Sequence, residues 1–409
     1  MNWWRVSTNQ AKNMNRRNKA ASETPIHSDS SVGRGPLAGV SVVELAGLGP
    51  GPFAGMVMAD WGADVIVVDR PGGGVDYAAG QVILNRGKRS IAVDLKTAEG
   101  KQVVLSLVER ADILIEGFRP GVAERLGVGP DVCLERNPRL VYGRITGWGQ
   151  EGPLSATAGH DINYIAITGA LHAIGPAERP AVPLNLIADY GGGGMLLVSG
   201  VLAAMVSSRT TGRGQVVDAA MVDGAALLTA IMHAGIAGGW WASRRRSNFL
   251  DGAAPFYDVY ETADGRHVAV GCLEEHFLDE MCSRLGIERG DLPHRFDPRG
   301  WPQLRRRISE IFLQKTRDEW AQEFAEGDAC VSPVLSLSEA TEHPHLHSRS
   351  TFVEVDGWRQ PAPAPRFSET GTATPKPSPS RGEHSTAILT GVGFSPHQID
   401  KLRQEGVVN

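Results

Sequence analysis

Cysteine is scarce in this chain. Cys133, Cys272, Cys282 and Cys330 are the four in 409 residues, far apart and without CxxC spacing, which argues against a disulfide scaffold, a zinc site or a redox pair. Reduced thiols in a cytoplasmic protein are the simplest reading. Long hydrophobic runs are also lacking. The longest, Met195 to Val206, falls short of the roughly 20 residues that span a bilayer, so a buried helix is expected there, without membrane insertion. Neither sign of charge dominates: 41 Lys and Arg face 46 Asp and Glu, for a net charge of −5, which leaves no basic coat for nucleic acid. Residues 1–35 hold Arg5, Lys12, Arg16, Arg17 and Lys19 but no apolar stretch. They read as a disordered extension or a misplaced start rather than a secretory signal. Internal repeats are absent.

What is present is an ordinary globular composition, 42% hydrophobic and 21% charged, long enough for two domains. From Pro36, short β-branched runs alternate with helical segments: 40–45, 65–69, 90–94, 113–115 and 140–145, with Ala98 to Arg110 reading as an amphipathic helix between two of them. A further strand, 215–219, follows the turn Thr211-Gly-Arg-Gly214. The alternation predicts a doubly wound α/β domain over 36–225. A smaller α+β domain is expected over 226–349, with a hairpin turning on Asp264-Gly265 and helices near 276–286 and 302–326. Proline-rich crossings at Pro361–Pro365 and Pro375–Pro379 lead through the segment 350–409 to a last helix, Ser395 to Gly406.

Several motifs have both a plain and a chemical reading. Gly49-x-Gly51-x-x-Ala54, with Asp69 ending the next strand, satisfies a dinucleotide fingerprint. Pro50 and Pro52 count against it, because each removes a backbone N–H that would face a pyrophosphate. Basic residues gather instead at element ends: Arg70, Asn85-Arg-Gly-Lys-Arg89, Lys96, Arg119 and Arg125. Singly they are solvated charge; together, at strand ends, they suit a multiply phosphorylated ligand. His160, after a glycine and at a helix start, is a capping group or an acid/base group. Asp189, before Gly191–Gly194, is an N-cap or lies where a helix start offers N–H groups to an oxyanion. Glu274 reads as a first-turn acid. His343, His345 and His347 make an exposed turn rather than a metal site, and Arg244–Arg246 a solvated loop beside Trp240 and Trp241.

Taken together, these stretches resemble the family III CoA-transferases, also called the CaiB/BaiF family. The resemblance is carried by Pro36–Leu45, Gly49-Pro-Gly-Pro52, Asp60-x-Gly62-Ala-Asp64, Val68-Asp-Arg-Pro71, Asn85–Ser90, Val93-Asp-Leu-Lys96, Arg144-x-Thr146-Gly-x-Gly149, Thr211–Gln215 and Asp218–Met221, and it runs from about Pro36 to Val408. Gly159-His-Asp-Ile-Asn-Tyr164 and Pro183-Leu-Asn-Leu-x-x-Asp189 are similar to the α-methylacyl-CoA racemase branch.

The resemblance implies a Rossmann-like large domain and a smaller α+β domain in an interlocked homodimer. The site would form between the large domain of one subunit and the small domain of its partner. It further implies an acyl-CoA substrate, no separate cofactor or metal, and epimerisation at C2 of 2-methylacyl-CoA thioesters. His160 and Asp189 match the acid/base pair, and Glu274 matches a carboxylate assisting the histidine. Arg70, Val93, Asp94, Leu95, Lys96, Arg125, Gly159, Asp161, Ile162, Asn163 and Tyr164 match positions around the CoA thioester. The alternative is CoA transfer between carboxylic acids with Asp189 as nucleophile. A partner base opposite Asp189 is what inversion needs and transfer does not.

Overall fold

The computed structural model describes residues 35–73, 82–288 and 294–409. The expected N-terminal extension therefore lies, apart from Gly35, outside the described residues. Strands β1 (Ser41–Leu45), β2 (Asp64–Asp69), β3 (Arg89–Ala92), β4 (Ile113–Glu116), β5 (Val141–Thr146) and β6 (Gln215–Ala220) form one sheet in the order β3-β2-β1-β4-β5-β6. Every neighbouring pair is parallel. These are the β-branched runs of the sequence. They lack in–out alternation because helices cover both faces, leaving β4 and β5 buried at every position.

On one face Val42, Val65, Ile113 and Val141 pack with Ala54, Val57 and Met58 of the helix Pro50–Asp60 and with Leu197, Val198 and Val201 of the helix Leu196–Thr211. On the other, Val43, Ile66, Ile91, Leu114 and Tyr142 pack against the helix Ala98–Val108, which Thr97 Oγ1 caps at 2.9 Å from Gly100 N. The C-terminal helices Ser385–Gly391 and Pro396–Gln404 close that second face with Ile388, Leu389, Ile399 and Leu402.

A separate core surrounds the antiparallel strands β7 (Tyr257–Glu261), β8 (His267–Gly271) and β9 (Val331–Pro333), with Phe256, Tyr260, Val268, Leu278, Ile308, Phe312 and Trp320 inside it. The hairpin turns where expected, with Gly265 at φ 69. The single helix expected over 302–326 is instead two, Trp301–Phe312 and Arg317–Glu323. Thr316 restarts it through a capping box, donating its N–H to Glu319 Oε2 at 2.8 Å. Sequence reading also missed the hairpin of β10 (Phe352–Val355) and β11 (Trp358–Pro361), whose turn places Asp356 and Gly357 at φ 52 and 76. Pro361 is tolerated because it ends its strand.

The return segment is fastened to the large sheet. Buried Arg86 donates to both oxygens of Asp60, at 3.1 and 2.6 Å, and to Gln360 Oε1 and Pro361 O at 2.7 Å each. Trp61 Nε1 donates to Ala364 O at 2.9 Å, and Gly382 N to Ser90 Oγ at 2.8 Å.

The strand order reverses between β1 and β4. Loops leaving their carboxyl ends diverge to opposite faces, and the crevice between them is where open α/β sheets bind ligands. A cleft lies there, lined by Gly47, Pro50, Gly51, Ile115, Glu116 and Gly117.

Candidate active site

The β1 loop explains the dinucleotide look-alike. The sheet has the dinucleotide-binding strand order, and Gly49, at φ 67, turns the chain into the helix Pro50–Asp60. Pro50 and Pro52 occupy its first turn, where a missing N–H costs the helix nothing but removes donors a pyrophosphate would use. The loop instead meets Asp189: a Cβ on Gly49 would lie 4.0 Å from Asp189 Oδ2.

Asp189 does not precede a helix as an N-cap. It lies in the first turn of a π-helix, Leu186–Met195, which runs straight into the helix Leu196–Thr211. The buried helix expected over 195–206 is thus part of a 26-residue helix with a mean hydropathy of 1.5 over its most apolar window. By length and composition alone that would cross a membrane; half of that window is buried inside this fold. The glycines permit its packing. A Cβ on Gly193 would lie 2.8 Å from the Met221 side chain, and one on Gly194 would lie 2.7 Å from the Phe53 ring.

The oxyanion donors expected from a helix start after Asp189 are not there. The N–H groups of Ala188 and Asp189 both go to Asp161 Oδ2, at 2.7 and 2.8 Å. Asp189 Oδ2 accepts from Asn185 Nδ2 at 3.2 Å. Burial raises the Asp189 carboxyl above the ordinary carboxylate range; Asn185's hydrogen bond opposes this, Asp161's charge adds to it and His160's charge opposes it. Asn185 escaped sequence reading, although its i, i+4 spacing from Asp189 was a usable signal.

His160 is exposed and stands at the N-cap of the helix Asp161–Ile167. It forms a capping box with Asn163. Asn163 Oδ1 accepts from the His160 N–H at 3.1 Å, and the N–H groups of Asn163 and Tyr164 go to the His160 carbonyl. Tyr164 holds the preceding loop by donating its hydroxyl to Gly159 O and setting its ring edge-on to Trp148, 4.7 Å between centroids. Gly147 leaves room for that ring, since a Cβ there would come within 2.2 Å of it. The phenol is pushed up to about 12, first by burial and then by Asp189's charge. The charge of His160 reaches Asp189.

Glu274 is the N-cap of the helix Glu275–Arg284 rather than a first-turn acid, and it is exposed. Among the described residues it makes no hydrogen bond or ion pair with His160 or Asp189; its charge instead acts on Cys330. A single chain thus brings His160 and Asp189 together and leaves Glu274 apart.

The other candidate ligand residues lie along the carboxyl edge of the sheet. Arg70 and Lys96, beyond β2 and β3, are exposed, as are Arg125, Ile162 and Asn163. Val93 is 1% exposed and bridges Val408, so its side chain belongs to the core. Asp94 shapes its own turn, accepting from Lys96 N at 2.9 Å. Leu95 packs against the core beside it, and Gly159 is half-buried.

Behind the β1 loop, Lys88 Nζ pairs with Glu44 Oε2 at 2.6 Å, the two side chains 0% and 1% exposed. Lys88 also donates to Pro52 O and Asn85 Oδ1 at 3.0 Å each. Burial pushes Glu44 up and Lys88 down, and their attraction opposes both shifts.

One surface reading is corrected. Arg244–Arg246 is not a solvated loop: Arg245 donates to Pro176 O at 3.0 Å and His172 O at 2.9 Å, and Arg246 pairs with Asp258 at 2.9 Å. Among the described residues, no group of three or more His, Cys, Asp or Glu is placed to hold a metal.

Comparison with known proteins agrees with this architecture. A family model for CoA-transferase family III matches residues 37–385. The chain is similar to the α-methylacyl-CoA racemase of Mus musculus, with 45% identity covering 91% of this chain and 97% of that protein. Its similarity to the Homo sapiens α-methylacyl-CoA racemase is 43% over the same shares. A crystal structure of a CaiB/BaiF family protein from Brucella suis superposes with a TM-score of 0.76 at 28% identity, covering 88% of this chain and 100% of that one. The protein with this Rossmann-type sheet, and with His160 and Asp189 brought together, belongs to CoA-transferase family III.

Proposed function

We propose that the protein is a 2-methylacyl-CoA racemase that inverts C2 by 1,1-proton transfer. The observation that supports the reading is the charge of His160 acting on Asp189, whose carboxyl is held above its ordinary range. A raised carboxyl makes a stronger base for the C2 proton than an ordinary carboxylate, closer to the match with operating pH that general-base catalysis favours. Asp189 would accept the C2 proton on one face, leaving an enolate, and protonated His160 would donate on the other; for the opposite epimer the roles reverse. Solvent exchange at the two groups would reset them. The first-turn N–H groups of Asp161 and Ile162, beyond those that return to His160, are suitable donors to the thioester oxygen. Two opposed side chains and these donors suffice, so the reading calls on no metal or redox cofactor.

We further propose that Arg70 and Lys96 bind the CoA phosphates, and that two chains form an interlocked homodimer in which a partner supplies the carboxylate of Glu274. Exposed apolar side chains on the segment next to the site, Leu184 at 69% and Leu186 at 57%, support burial against a second chain. The family also contains CoA-transferases, and Homo sapiens succinyl-CoA:glutarate CoA-transferase is 27% identical over 91% of this chain. An imidazole whose charge reaches Asp189 favours inversion over transfer. Incubating one epimer of a 2-methylacyl-CoA with the protein in deuterated water tests this: deuterium at C2 together with epimerisation is expected. Hydroxylamine capture of an acyl group on Asp189, without C2 exchange, would assign transfer instead.

A further inference from the structure

Asp161 follows the histidine directly, yet its side chain turns away from the crevice. It is 3% exposed, its Oδ2 accepts the two N–H groups of Ala188 and Asp189, and its Oδ1 is buried without a hydrogen-bond partner. An unsatisfied carboxylate oxygen in the interior is costly. A plain helix-start acid or a ligand contact would face solvent. We propose that Asp161 is a positioning residue, an anionic brace that fixes Asp189 to the helix bearing His160; this rests on the acid/base reading of that pair.

The geometry gives the brace two effects. One oxygen ties the first turn of the π-helix to the first turn of the helix Asp161–Ile167, so the two acid/base side chains are set from a single shared anchor. The charge beside Asp189 also disfavours a second negative charge there. Other charges on the elements packed against the π-helix are engaged or turned outward. Asp60 is held by Arg86, Arg144 by Glu116 and Glu124, and Asp218 Oδ2 accepts from Gln150 N. Asp223 and Arg209 are exposed. Among the described residues, the charges of Asp161 and His160 act on Asp189, and those of Asp189 and Arg119 act on the phenol of Tyr164.

The test is epimerisation of a 2-methylacyl-CoA by the full-length protein and two variants. Asp161→Ala should lower kcat about a hundredfold, the cost of roughly 1 Å of misplacement, with KM changed by less than about threefold. Asp161→Asn keeps an oxygen for both N–H groups and should recover at least about tenfold of that loss. Its acid limb should move to lower pH, because the active form keeps Asp189 ionised opposite protonated His160 and the neighbouring charge is gone. An Asp161→Ala enzyme with wild-type kcat, or an Asp161→Asn enzyme whose acid limb does not move, overturns the brace. Should Asp161→Ala fail to fold, the Asp161→Asn limb decides alone. A wild-type protein that leaves C2 untouched overturns the acid/base reading and the brace with it, a result distinct from any difference between variants.

Discussion

Gly224 lies against the carbonyl of Gly192, so close that a Cβ on Gly224 would meet that oxygen at 1.8 Å, and one on Gly192 would meet Ala225 N at 2.7 Å. The contact lets the helix Met221–Leu228 seat the π-helix that carries Asp189. Gly224→Ala must push the two backbones apart. We expect a loss of about 1–3 kcal/mol from overpacking, seen as a lower denaturant midpoint, together with a lower kcat because Asp189 shifts. Unchanged stability and rate would show that the contact relaxes freely.

Removing either half of the acid/base pair should stop chemistry without unfolding the chain. His160 is exposed and N-caps a short helix, so His160→Ala should lower stability by no more than about 1 kcal/mol. Its racemisation should fall by about 10²–10⁴-fold. Asp189→Asn should do the same. Chiral chromatography of the thioester product measures both, and a His160→Ala enzyme at wild-type rate would take the imidazole out of the mechanism.

Lys88 and Glu44 give a pH-dependent result. Lys88→Met leaves Glu44 buried without its partner, at a cost of about 3–5 kcal/mol at neutral pH. Burial already raises the folded carboxyl above 4.5. A raised carboxyl binds its proton more tightly folded than unfolded, so stability falls as pH climbs through that window. The deficit of the variant relative to wild type should be smaller near about pH 4 than at about pH 8. Urea titrations at the two values check the sign.

For the thioester's phosphates, Arg70→Ala should raise KM about tenfold, the equivalent of one charge-assisted hydrogen bond of about 1.5 kcal/mol. The kcat should be unchanged. The effect should shrink as ionic strength rises. Lys96→Ala should act the same way, and a fall in kcat at constant KM would place either residue in the chemistry instead.

The parallel sheet was legible because strands covered on both faces carry short apolar, β-branched runs, such as Val65–Val68. The Asp264–Gly265 hairpin was legible from its turn chemistry. The π-helix was not: Asp189 before its glycines read as an N-cap or a helix start, and the partners that make those glycines a packing surface, Gly224, Met221 and Phe53, are distant in sequence. The inward turn of Asp161 was not legible for a related reason. An acid after an N-cap usually faces water at a helix start, and nothing local marks that this one turns inward to the amides of Ala188 and Asp189. The pairing of His160 with Asp189 became legible only through motifs shared with a family, since 29 positions of sequence separation carry no spatial information by themselves.

The edge of the large sheet has a consequence for how the chain reaches its fold. Ser90 N donates to His384 Nδ1 across 294 positions of chain, and Ile91 and Val93 share a core with Leu389, Leu402 and Val408. During synthesis the first five strands emerge long before the residues that cover this face. An apolar surface must therefore wait, exposed, until these later residues are made. Such high contact order slows folding and invites self-association meanwhile. A chaperone that holds the nascent chain would be most useful on that one face, at the far side of the sheet from the crevice helices.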